Sequence, residues 1–329
     1  MITAPTTNRR RVGSMELLLV ALIALALSGG VLSRLVAQTP RWSVAATVFC
    51  GVFVQALPFL VLGVLVSGLV AAFVSAEQLA RWLPRRTGLA VLAAGVGGAA
   101  LPGCECGSVP VARRLFGPGT AGAAALTFML AAPAVNPVVL VATAVAFPGQ
   151  PKMVIGRCLA SLVTAVVMGL VWSRWGRSDW VTRSLPDTRR DAPRSVIFLE
   201  AARHDFLQAS SYLVIGAAAA AALRVLVPAW IFHQLAGQVV AGIVVMALLA
   251  VVLALCSEAD AFVAASLTMM PLLPRLVFLV VGPAVDVKLF AMQAGMFGRR
   301  FAVRFAPLTL LTATLAAAGI GLLVLGGVR

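Results

Sequence analysis

The chain repeats itself about 150 residues apart, and both copies set ionisable residues into apolar sequence. Phe53, Gln55, Ala56, Phe59, Leu60, Val61 and Gly63 recur as Phe206, Gln208, Ala209, Tyr212, Leu213, Val214 and Gly216, at a constant offset of 153. Cys104-Glu105-Cys106-Gly107-Ser108 lines up with Cys256-Ser257-Glu258-Ala259-Asp260 at 152. Pro133-Ala134-Val135-Asn136 answers Pro283-Ala284-Val285-Asp286 at 150, as Phe147 answers Phe297. Order is kept while the offset drifts by three, which is the pattern of a duplicated unit with small loop deletions. A duplicated membrane unit with a polar centre is the usual build of a secondary transporter.

Membrane residence follows from composition. With 61% hydrophobic and 11% charged residues and a mean hydropathy of +1.02, an ordinary soluble domain is excluded. The formal net charge of +15 does not indicate nucleic acid, because the cations sit in short clusters between apolar runs. Such clusters mark cytoplasmic loops. The expected partners are the lipid bilayer and a small-molecule or ion substrate. Cys50, Cys104, Cys106, Cys158 and Cys256 all lie in apolar stretches, so a secreted disulfide framework is not expected. Arg9 to Arg11 before the run Leu17 to Val31 resembles a signal peptide, but the spans that follow favour an uncleaved first helix.

Runs long enough for a bilayer fall at about 15–37, 49–74, 119–147, 153–173, 206–227, 276–297 and 305–327, and two more apolar segments, 88–103 and 236–256, lead into the cysteine motifs. The expectation is an all-α polytopic membrane protein of about seven to nine transmembrane helices plus two re-entrant or broken segments. Its parts are an extra helix over 1–48, a first repeat over 49–174, a basic linker over 175–201 and a second repeat over 202–329. The arginines of 174–205, Arg9 to Arg11, Arg81/Arg85/Arg86 and Arg299/Arg300/Arg304 belong on the cytoplasmic side of a bacterial plasma membrane, as does the N-terminus. The stretch 228–234 has no Lys or Arg and belongs outside. These assignments agree only if about 88–112 enters and leaves on the cytoplasmic side and the repeats have opposite orientation. The segment 236–260 then enters from outside and faces the first hairpin. Irregular backbone at that depth needs protein or a water-filled cavity around it.

Four breakers, Pro102, Gly103, Gly107 and Pro110, bracket Cys104, Glu105 and Cys106. Two thiols one residue apart are too close for a relaxed disulfide yet can offer soft ligands to one thiophilic atom. Two cysteines beside a tight turn are often mere packing, but the carboxylate between them is costly unless it faces a cavity or a partner. In the second copy one thiol and two acids stand in the same place, Cys256, Glu258 and Asp260, suited to a coupling proton or sodium or else to the solvated mouth of the site. Asn136 and Asp286 occupy matching positions. Lys288 does not face Asp286 on a regular helix, so pairing would need broken geometry near Pro283, or Lys288 would pair elsewhere, for example with Glu258 or Asp260. Gln55 and Gln208 orient a ligand or bond across helices. Met269 and Met270 read as packing. His204 and His233 lack partners at zinc-ligand spacing, so no metal site is expected. No Walker loop or serine-nucleophile elbow is present, so neither an enzyme of those classes nor a cofactor is indicated.

The stretches Gln55-Ala56-Leu57-Pro58-Phe59-Leu60-Val61-Leu62-Gly63, Cys104-Glu105-Cys106-Gly107-Ser108-Val109-Pro110, Ala132-Pro133-Ala134-Val135-Asn136-Pro137 and Cys256-Ser257-Glu258-Ala259-Asp260-Ala261 resemble the predicted-permease family that includes the YraQ-like proteins and the ArsP organoarsenical permeases. The resemblance covers nearly everything from residue 49 onward. It implies an inner-membrane transporter with two related halves, and for the arsenical branch extrusion of trivalent organoarsenicals through thiol contacts. On that reading Cys104, Glu105, Cys106, Asn136, Cys256, Gln55 and Gln208 meet substrate, while Glu258, Asp260, Asp286 and Lys288 serve ion coupling. A membrane thiol oxidoreductase and a soft-metal carrier or channel are the competing classes. The oxidoreductase lacks the usual Cys-x-x-Cys pair.

Overall fold

The computed structural model describes residues 40–73, 84, 86–98, 105–116, 120–181, 193–226, 239–268 and 270–326. The expected helix at 15–37, Cys104, the external connection 228–234, and the side chain of Gln55 lie outside the described set. The chain divides into two compact units, Met1–Thr47 and Val48–Arg329. Of the first, the described part is the start of a helix, where Thr47 Oγ1 donates to Ser43 O at 2.8 Å.

All regular structure among the described residues is helical. In order the helices are α1 Pro40–Phe73, α2 Thr87–Gly98, α3 Glu105–Leu115, α4 Thr120–Val135, α5 Pro137–Ala146, α6 Pro151–Trp175, α7 Arg194–Leu226, α8 Val239–Leu253, α9 Ser257–Ser266, α10 Leu272–Ala284, α11 Val287–Met296 and α12 Arg299–Leu325. The first six answer the second six one for one. Among the described residues five stretches are long and apolar enough to cross a membrane: Ser43–Phe73, Ala121–Ala146, Pro151–Trp175, Leu272–Met296 and Arg299–Leu325. The chain is therefore an all-α polytopic membrane protein. Leu315, Leu323, Val141 and Val145 are more than 60% exposed, as expected of helix faces that meet lipid rather than water.

Packing repeats as the sequence does. α4 packs against α2 and α6, and α10 against α8 and α12. α3 of the first set lies against α11 of the second, while α9 lies against α5, so each short helix leans on the other half. The matched helices α6 and α12 run antiparallel. Trp172 near the end of α6 meets Phe301 near the start of α12 at 5.5 Å. At the other end Leu276 fills the space beside both Gly156 and Gly321.

Within the spans 119–147 and 276–297 the chain is cut into two helices each, at Asn136 and at Val285-Asp286. α7 begins at Arg194, inside the basic stretch 175–201. Pro193 starts that helix, its carbonyl accepting from Val196 N and Ile197 N, and good helix formers such as Leu199, Glu200, Ala201 and Ala202 continue it. Nearer α6, Ser178–Trp180 forms a 3₁₀ turn.

Entering the protein earlier lets α7 bring Asp205 into a buried pair that charge patterning alone places in solvent. Arg114 Nε and Nη2 each lie 3.0 Å from its carboxylate oxygens, and Ser67 Oγ donates to Asp205 Oδ2 at 2.6 Å. Three helices, α1, α3 and α7, are joined at one carboxylate that is fully buried. Asp205→Asn keeps the shape but removes the charge opposite Arg114. It should cost about 1.5–3 kcal/mol, read as a lower unfolding midpoint of the detergent-solubilised protein.

Candidate functional site

The breaks that divide the long spans arise from local chemistry. Pro137 has no N–H to continue α4, and it pushes the residue before it out of the helical region. Asn136 accordingly sits at φ −68°, ψ 153°. One amide then serves both broken ends: Oδ1 accepts from Val139 N at 3.0 Å and Nδ2 donates to Ala132 O at 3.0 Å. In the second half the break falls two residues past Pro283, which stays within α10. Asp286, at φ −142°, ψ 174°, accepts from Leu289 N as the cap of α11. Extended backbone at Asp286 brings the next-but-one side chain back toward it, and Lys288 Nζ lies 3.6 Å from Asp286 Oδ2.

A third break separates α8 from α9. Ala254 adopts φ +47°, unusual for a residue with a Cβ and costing on the order of 1–2 kcal/mol. Cys256 then caps α9 with extended backbone, and its thiol donates to Glu258 Oε2 at 2.7 Å. Glu258 and Asp260 fall in the first turn of α9, and Glu105 in that of α3, where the helix dipole favours negative charge.

Lys288 joins the breaks at Asp286 and Ala254 to the start of α3. Its ammonium lies 2.6 Å from Glu105 Oε1, at the start of α3, and 3.5 Å from the carbonyls of Ala254 and Leu255. One nitrogen atom thus touches the carboxylate of the first cysteine motif and the unwound backbone before the second. Of the partners open to Lys288, Asp286 is met through the broken geometry, while the closer carboxylate is Glu105 rather than Glu258 or Asp260, because α11 packs against α3 of the other half. The two helices lie side by side in the same sense. At their far ends Arg113 Nε donates to Met296 O at 3.0 Å and its guanidinium stands 5.7 Å above the Phe297 ring.

A second buried cation, not singled out by the sequence reading, works from the opposite half. Arg157 of α6 is inaccessible. It donates from Nη1 to Thr143 Oγ1 of α5 and from Nη2 to Ser257 O of α9, both at 2.8 Å. Lys288 thus reaches from the second half to the first motif, and Arg157 from the first half to the second. The signal was available, since Arg157 is the only charged residue in the apolar run 153–173 and intramembrane charge marks function by default.

Glu105, Cys106, Arg157, Asp260, Asp286 and Lys288 are all at most 2% exposed, and Cys256 is 4% exposed. Both thiols and the acids Glu105 and Asp286 lie within Coulombic reach of Lys288, as Asp260, Glu258 and Glu105 do of Arg157. Of seven buried side-chain polar atoms without a hydrogen-bond partner among the described residues, four belong to this cluster: Glu105 Oε2, Arg157 Nε, Asp260 Oδ2 and Asp286 Oδ2. Asp260 rests against Gly282 of α10, where any Cβ would collide with its carboxylate. Gln208 lies apart from this cluster, its Nε2 donating to Gly295 O at 3.1 Å near the end of α11.

Broken membrane helices whose capped ends and buried charges converge from two repeated halves define a polytopic membrane permease. A family model described as "Predicted permease" (ArsP_1) matches residues 41–321. The chain belongs to that predicted permease family. It is 34% identical to the UPF0718 protein YcgR of Bacillus subtilis (strain 168) over 262 residues, which cover 78% of this chain and 89% of the relative. It is 29% identical over 266 residues, 78% of this chain and 88% of the relative, to a Streptococcus mutans protein described as a two-component membrane permease complex subunit. No solved structure matches the chain significantly.

Proposed function

We propose that the protein is a secondary transporter of the bacterial plasma membrane that moves a small thiophilic solute by alternating access. Its two repeats, 49–174 and 202–329, lie in opposite orientation and rock against each other around the breaks before α3 and α9. The observation that supports this most is Lys288, whose ammonium contacts Glu105 at the start of α3 and the unwound backbone before α9 at once. A contact that spans the two halves and is shut off from solvent is suited to be made in one state and exchanged in another.

Cys106 and Cys256, with Cys104 beside the first, supply soft sulfur for the cargo, and Asn136 fixes the broken helix that borders them. Gln55 and Gln208 orient the helices that enclose the path. Glu105, Glu258, Asp260, Asp286 and Lys288 provide counter-charge and a place for a coupling proton or sodium. Trivalent organoarsenicals, extruded from the cell, are the leading cargo. The description of the Streptococcus relative as a complex subunit adds a second membrane subunit as a partner to look for by co-purification.

The test is a growth-inhibition panel of organoarsenicals, antimonials and soft metal ions in a deletion strain with and without this chain. Selective rescue by the wild type, lost in Cys106→Ser at equal membrane abundance, is the expected result. The same thiol-to-hydroxyl change should lower efflux of the rescued compound at least tenfold, because a hydroxyl does not ligate a soft atom. Rescue that survives replacement of Cys104, Cys106 and Cys256 together would remove the soft-ligand role. Reversible quinone-linked oxidation of the thiols without flux would favour the oxidoreductase.

A further inference from the structure

Far from the polar centre, a cavity of about 120 Å³ opens where the end of α6 meets the start of α12. Met168, Val171, Trp172, Trp175, Phe305 and Leu308 line it. It lies one helix length from the site, since Trp172 is roughly 22 Å along α6 from Arg157 at 1.5 Å per residue. One edge is closed by Trp180 and Arg304, whose guanidinium stands 4.7 Å above the indole ring. Trp175 is 70% exposed at the rim.

The charge around this opening is one-sided. Arg174, Arg177, Arg299, Arg300 and Arg304 are all exposed, and Asp179 is the sole acid in 172–181 and 298–305. Asp179 approaches Arg177 at 3.4 Å with both side chains about 70% exposed, a pairing too solvated to neutralise the cluster. Arg304 forms no ion pair among the described residues. The chemistry is that of a membrane border: tryptophans at headgroup depth and arginines just beyond the hydrocarbon.

We propose that this slot binds an anionic phospholipid, with part of an acyl chain between Trp172, Trp175, Phe305 and Leu308 and the phosphate against Arg304 and Arg174. Stacking on Trp180 covers one face of the Arg304 guanidinium and leaves its N–H edge free for paired bonds to phosphate oxygens. An apolar slot at the edge of the bilayer gains by taking up methylene groups, which a free inorganic phosphate cannot supply. A zwitterionic headgroup would gain little from five arginines, whereas each basic residue near an anionic lipid adds about five-fold to binding.

The experiment uses the full-length protein in neutral detergent, titrated with phosphatidylglycerol, phosphatidylcholine or inorganic phosphate, and read by native mass spectrometry and thermal unfolding. Phosphatidylglycerol should stay bound and raise the unfolding midpoint, and the other two should not. Arg304→Gln and Arg174→Gln should each weaken phosphatidylglycerol about five-fold. Leu308→Trp, which fills the slot and leaves every charge in place, should remove the specific lipid adduct. Equal retention of the two lipids, displacement by phosphate alone, or unchanged phosphatidylglycerol binding in Leu308→Trp would each overturn the assignment.

Discussion

Lys288→Met should destabilise the protein by about 3–5 kcal/mol, and adding Glu105→Gln should restore most of that loss without restoring transport. The ammonium has Glu105 Oε1 at 2.6 Å and Asp286 Oδ2 at 3.6 Å, and all three side chains are almost wholly inaccessible. Taking away the cation leaves two carboxylates together in a medium that solvates neither, so the penalty comes mainly from what is left behind. Neutralising Glu105 as well removes the larger part of it. Unfolding of the single and double variants in detergent, arranged as a double-mutant cycle, measures the coupling. If the two changes simply add, the pair does not hold the halves together and they share no centre there. Transport separates structure from function: the double variant folds but has lost the charge that contacts both the start of α3 and the backbone before α9.

The duplication made the architecture legible. The offset of 152 between Cys104 and Cys256 predicts that α3 and α9 are counterparts, and the offset of 150 aligns the caps Asn136 and Asp286. At Asn136 the break itself was readable, because a proline follows directly. What periodicity could not supply is which charge meets which. Glu105 and Lys288 are 183 residues apart and come together only because α3 leans on the other half. Ala254 carries no local warning either. Alanine is the best helix former and sits between the apolar run Val239–Leu253 and α9, so its left-handed backbone is imposed by the surroundings. Asp205 was hidden for the converse reason, since a basic, polar neighbourhood in sequence belongs to a helix whose other face is buried. Arg157 is different, being a lone cation in an apolar span that composition alone marks out.

Gly63→Val and Gly216→Val should each abolish transport and lower stability by about 1–3 kcal/mol or more, although neither residue has a side chain to lose. These glycines are the last matched pair of the first repeat motif, and the structure gives both the same task on different partners. A Cβ at Gly63 would overlap the backbone of Gly107, in the first turn of α3. A Cβ at Gly216 would stand 2.7 Å from Cα of Lys288 and 3.0 Å from its carbonyl oxygen. Membrane helices approach this closely only where small residues face each other. Each long helix thus presses directly on a short helix that holds one member of the Glu105–Lys288 pair. Backbone cannot swing aside as a long side chain can, so added volume must shift α3 or α11 and pull the carboxylate from the ammonium. By the same reasoning Gly51→Ala, with nothing within 4 Å of the added carbon, should leave flux unchanged and serves as the control. Parallel flux and unfolding measurements on the three variants check this. Normal transport in Gly63→Val or Gly216→Val would show that the position of the short helices, and with it the Glu105–Lys288 contact, does not govern the path.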